Sequence, residues 1–128
     1  MKTHSSTFIS LIQTSKLSVE QLFDVGKKSN NSDVWEAVIQ TGKLSVEQLF
    51  YVGKQADTQF VWKAVIQTGK LSTEQLLDVG KNAHNSNVWE AVAQQINFAE
   101  MSIEQLLDVG NKVDNSYVWE AVIPWLKS

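Results

Sequence analysis

Apolar positions along this chain fall into a block that keeps returning. From Ser18, Val19, Leu22, Phe23 and Gly26 form a stripe at i, i+3, i+4 and i+7, with Val25 beside it. A polar stretch follows, then a second stripe of Val34, Trp35, Val38 and Ile39. Each block therefore predicts two short helices. Helices of roughly ten residues are unstable alone in water, so each needs its partner and the next block to hold it.

The spacing is regular. Trp35, Trp62, Trp89 and Trp119 are separated by 27, 27 and 30 residues, and Gly26, Gly53, Gly80 and Gly110 keep the same intervals. Residues 18–44 and 45–71 agree at 19 of 27 positions without a gap. A fixed period of this length is the signature of stacked supersecondary units. The expected fold is all-α: a right-handed α-α superhelix, or α-solenoid, of about four 27-residue two-helix repeats in one domain spanning 1–128. The repeats are placed at 18–44, 45–71, 72–101 and 102–128. A lone half-repeat helix at 5–15 precedes them, because Phe8 and Ile12-Gln13-Thr14 fall on Trp35 and Ile39-Gln40-Thr41 when shifted by one period.

Start and stop signals agree with this division. Ser18, Ser45, Ser72 and Ser102 are each followed three residues later by glutamine and preceded by Leu17, Leu44, Leu71 or Met101. That is the pattern of a capping box with a hydrophobic staple. Ser32, Ser86 and Ser116 are expected to cap the second helices, and Gly42 and Gly69 to stop them in the left-handed conformation. The repeated glycine in the first helix costs about 1 kcal/mol of helix propensity relative to alanine. It is read as the crossing point of a neighbouring helix, as are Ala37, Ala64, Ala91 and Ala121. The four periodic tryptophans are expected in the core, and Trp125, outside the period, as a seal over the last unit, the alternative being an anchor for a partner. Pro124 is expected to end or kink the final helix. The nine residues Ala93–Met101 carry three extra positions, absorbed by either helix or loop.

Composition narrows the function. The 128 residues contain no cysteine, which removes disulfides, thiolate metal sites and a cysteine nucleophile. All 11 basic residues are lysine, against 14 acidic ones, for a net charge of -3. Nucleic acid is therefore disfavoured as a partner, since no arginine fork is present and the balance is acidic. No apolar run approaches a membrane span, and the start lacks a secretory signal's apolar core, so a cytoplasmic location is expected. His4 and His84 lack catalytic or metal-ligand spacing, and periodic carboxylates belong to the scaffold. No enzyme activity, cofactor or metal is expected.

A binding surface is expected where repeats differ and side chains face water. On the second helices these positions include the row Glu36, Lys63, Glu90 and Glu120, and the aromatic replacements Phe60 and Tyr117 where other units carry Asp33 or Asn87. On a first helix Tyr51 replaces Asp24, Asp78 and Asp108. Exposed aromatics of this kind anchor interfaces, while the alternative is that Tyr51 and Phe60 cover apolar surface within their own array. Gln13, Gln40, Gln67 and Gln94 form a ladder expected to bond between adjacent units, the alternative being that it binds an extended peptide backbone.

The whole chain resembles, in architecture, the short α-solenoids of the HEAT and tetratricopeptide kind. The 27-residue spacing is shorter than either family's unit, and the tetratricopeptide W-x2-L-G-x2-Y pattern is missing. The resemblance implies a non-enzymatic protein-binding scaffold acting by stoichiometric contact with a protein or peptide, such as an adaptor or an immunity or inhibitor protein. The alternatives are a structural or self-assembling repeat protein, monomeric or weakly associating end to end, and, third, a helical-repeat nucleic-acid binder.

Overall fold

Serine side chains start four helices of the computed structural model, which describes the backbone of residues 2–127 and the side chains of residues 5–127. Each of Ser18, Ser45, Ser72 and Ser102 accepts the amide of the glutamine three residues on, and that glutamine's side chain accepts the serine's own amide. The reciprocal pair satisfies two amides that a helix start leaves orphaned. All four helices are 11 residues long, with a glutamate in the first turn and a lysine in the last, matching the helix dipole.

Among the described residues the fold is all-α, with nine α-helices and one 3-10 turn. They group into two compact units, Met1–Thr68 and Gly69–Ser128. The first unit holds α1 (Lys2–Thr14), α2 (Val19–Ser29), α3 (Ser32–Gln40), α4 (Val46–Ala56) and α5 (Gln59–Gln67). The second holds α6 (Thr73–Ala83), α7 (Ser86–Gln95), the 3-10 turn Phe98–Glu100, α8 (Ile103–Val113) and α9 (Ser116–Lys127).

A contact pattern repeats inside each unit. In the first, α2 packs on α3 and α4 on α5, as hairpins closed by two-residue joints, while α1, α3 and α5 pack successively on one another. In the second, α6 packs on α7, α8 on α9, and α7 on α9. Within the units, α3 and α7 thus each touch both their own hairpin partner and the next second helix. Val34, Val38, Val61, Val65, Val88, Val92, Val118 and Val122 are fully buried by this arrangement.

The joints correct one expectation. The caps of the second helices are Asn31, Thr58, Asn85 and Asn115, not Ser32, Ser86 and Ser116. An asparagine Oδ1 in extended backbone reaches the amide two residues on, as Asn31 does to Asp33 at 2.8 Å, so the helix begins one residue earlier. Immediately before each cap stands Asn30, Asp57, His84 or Asp114, all with positive φ, closing the first helix in the left-handed conformation. His84 thereby has a structural place. His4 lies outside the described side chains. Gly42 and Gly69 adopt the expected positive φ after α3 and α5.

The repeated glycine meets an indole. A Cβ built on Gly26, Gly53, Gly80 or Gly110 falls under 3.0 Å from ring carbons of Trp35, Trp62, Trp89 or Trp119, nine residues on in the same hairpin. The close approach is therefore made by a side chain of the partner helix. Trp35 and Trp62 are buried, while Trp89 and Trp119 are only half-buried.

Near the C-terminal end two further differences appear. α7 runs to Gln95, and the inserted residues then turn through the 3-10 segment, burying Ile96 and Phe98. α9 continues through Pro124 to Lys127, so the proline does not end it. Proline removes one amide, whose acceptor four residues back would be the carbonyl of Glu120, a residue exposed to water. Trp125, expected as a seal, is 44% exposed.

Candidate functional site

A groove runs along the contact between α7 and α9. It has a volume of about 410 Å³ and is lined by Glu90, Ala93 and Gln94 of α7 and by Tyr117, Glu120 and Ala121 of α9. Ala93 stands where the other blocks carry Ile39, Ile66 and Ile123. Three residues marked by the sequence, Glu90, Tyr117 and Glu120, are thus brought together. Tyr117 is half-buried, and Glu90, Gln94 and Glu120 are exposed at the rim. The Asn115 cap holds the start of α9 by accepting the Tyr117 amide at 2.9 Å.

Chemically, this groove offers two carboxylates, a carboxamide, a phenol and an alanine floor. Carboxylates and amide oxygens accept hydrogen bonds, so the complement is a cationic donor on an apolar stem. Ala93 and Ala121 were not singled out by the sequence as a site, whereas Gln94 was marked as a rung of the glutamine ladder. The one signal there was the departure from isoleucine at position 93.

The other marked residues lie elsewhere. Phe60, on α5, is 59% exposed. Glu36 and Lys63 occupy equivalent, half-buried positions on α3 and α5. The Glu36 carboxyl is pushed above its ordinary value, first by burial and then by the charge and side chain of Asp33 one turn back. Tyr51, on α4, packs within the first unit: its ring centroid lies 5.3 Å from that of Phe23, and Lys27 Nζ stands 5.5 Å above it. Hydrogen bonding to Tyr51 and then the Tyr51 charge raise the Lys27 ammonium above its usual value. Phe23 also faces Trp35, and Phe50 meets Trp62 edge-on at 6.1 Å.

A second groove, of about 430 Å³, lies between α1 and α3 and includes Gln13, Gln40, Thr41 and Lys43. Two rungs of the glutamine ladder meet there with their side chains exposed. Lys43 reaches past it to the Leu17 carbonyl at 2.9 Å, tying the start of α4 to the start of α2. Among the described residues no three histidine, aspartate or glutamate side chains gather to hold a metal, and no helix is long and apolar enough to cross a membrane.

No family model, no curated protein and no solved structure matches this chain. The arrangement of its own residues must carry the functional reading.

Proposed function

We propose that this protein is a non-enzymatic scaffold that binds a protein or peptide partner by stoichiometric contact, gripping a lysine or arginine side chain in the groove between α7 and α9. The observation that carries this reading is the convergence of Glu90, Tyr117, Glu120 and Gln94 on one alanine-floored groove. A basic side chain laid over Ala93 and Ala121 keeps its methylenes on apolar surface and its charge between two carboxylates. The phenol supplies rigid contact area of the kind that anchors interfaces. The net charge of -3 favours a basic partner and opposes a nucleic acid.

Stacking of the four sequence blocks as one right-handed superhelix belongs to the same proposal and rests on the 27-residue period. Arrays of this architecture present long continuous helix surfaces suited to extended partners. The reading as an adaptor or an immunity or inhibitor protein follows from stoichiometric contact without chemistry, in a cytoplasmic setting.

The test is fluorescence anisotropy with a labelled lysine- and arginine-bearing peptide, alongside the same peptide with both residues changed to glutamine. The basic peptide is expected to bind, with an affinity lowered about tenfold by the double change Glu90→Gln and Glu120→Gln, a loss in the range of one or two charge-assisted contacts. Equal binding of both peptides, or no effect of the double variant, would sink the reading. The exposed apolar surface of α8 and α9 favours a second reading, a self-assembling protein, and leads to the inference below.

A further inference from the structure

Inside each unit one hairpin has a face that the next hairpin covers, α2–α3 by α4–α5 and α6–α7 by α8–α9, and the corresponding face of α8–α9 is exposed. Phe23 shows which face it is, because on α2 it packs against Tyr51 of α4. In the second unit the equivalent Leu77 of α6 is 2% exposed and Leu107 of α8 is 41% exposed. On the second helices, Ala93 of α7 is 8% exposed beside α9, whereas Ile123 of α9 is 42% exposed. Ile103, one turn before Leu107, reaches 62%. Leu107 and Ile123 stand at hairpin-covered positions, and with Ile103 they give one hairpin three large exposed aliphatic side chains, unlike scattered surface leucines.

We propose that this α8–α9 face pairs with the same face of a second copy of the chain about a two-fold axis. The apolar centre of Leu107 and Ile123 can bury itself against its own image across such an axis. Charge decides the orientation. Along α9, Glu120, Ile123 and Lys127 fall on one edge at i, i+3 and i+7, and Glu120 and Lys127 are both exposed. An antiparallel approach of two α9 helices centred near Ile123 sets Glu120 of each copy against Lys127 of the other. A two-fold interface requires such self-complementarity, because each patch meets its own image. A parallel arrangement lacks this match. Isologous pairing uses the same patch on both copies and therefore closes at two.

Sedimentation velocity on the full chain, over a range of concentrations, tests this. The parent chain is expected to sediment as a concentration-dependent dimer. Ile123→Glu and Lys127→Glu are expected to give monomers that melt at the parent's temperature, since both positions are exposed. The charge-swapped chain Glu120→Lys with Lys127→Glu is expected to recover the dimer. A parent chain that stays monomeric, species growing beyond two copies, an Ile123→Glu dimer, or a charge-swapped monomer would each overturn the proposal. Glu120 lines the α7–α9 groove as well, whereas Ile123 does not, so Ile123→Glu separates the two ideas: it is expected to abolish the dimer and leave peptide binding by anisotropy unchanged.

Discussion

Gly53 is the seat of the Trp62 indole: an added Cβ would fall under 3.0 Å from three ring carbons, and the ring itself is only 1% exposed. A buried ring of that size cannot step aside. The same contact recurs at Gly80 and Trp89, but there the indole is half-buried and has room to tilt.

Two opposing effects therefore meet in a glycine-to-alanine change. Alanine gains about 1 kcal/mol of helix propensity, while overpacking of a tight core costs about 1–3 kcal/mol. Gly53→Ala is expected to be a net loss, and Gly80→Ala clearly milder. Urea denaturation of the two variants measures the difference. Adding Trp62→Leu to Gly53→Ala should recover part of the loss, as a double-mutant cycle will show.

The caps of the second helices give a sharper local test. Asn85→Ala removes the side chain that accepts the Asn87 and Val88 amides and is expected to cost about 1 kcal/mol. Ser86→Ala, at the first helical position, is expected to change stability by less than about 0.5 kcal/mol. Thermal melts decide between them. An equal loss at both positions would place the cap wrongly.

The left-handed residue at the end of α6 predicts the opposite sign. His84 has φ 49, where an L side chain other than asparagine or aspartate is strained by about 1 kcal/mol. His84→Gly is expected to stabilise the chain by up to that amount. Asn30→Gly, at the equivalent turn, is expected to gain less because asparagine tolerates the conformation. Comparing the two melting temperatures checks the ranking.

Glu36 predicts a pH dependence. Burial, then Asp33, makes the folded protein hold the Glu36 proton more tightly than the unfolded chain does. Stability contributed at this site is therefore present at low pH and is lost as pH rises from the ordinary value of 4.5 through the raised one. Glu36→Gln is expected to be more stable than the parent at neutral pH. The two should converge well below pH 4.5. Denaturation midpoints across that range test the sign, and a constant difference at every pH would contradict it.

Capping boxes, helix stripes and the stopping glycines were legible in the residue order because each is a contact between neighbours three or four positions apart. Ser45 and Gln48 satisfy one another within a single turn, whatever the rest of the chain does. The joint between helices was misread by one residue, since Ser32 and Asn31 are both good caps and only the backbone path selects Asn31. Tyr51 shows the same limit. Its replacement of aspartate was visible, but its packing on Phe23 arises between helices 28 residues apart in sequence.

The residue order alone thus determined an all-helical chain, the bounds of most helices to within a residue or two, and the glycines and tryptophans that had to be buried or close-packed. Local hydrogen bonding and the 3.6-residue period suffice for that. Tertiary packing decided that the glycines accept indoles, that Glu90, Tyr117 and Glu120 converge on one groove, and that Leu107 and Ile123 stay uncovered while their counterparts Leu77 and Ala93 are buried. Equivalent residues in a repeat share a local environment, but solvent exposure depends on whether another hairpin lies against them, and that is a property of the fold.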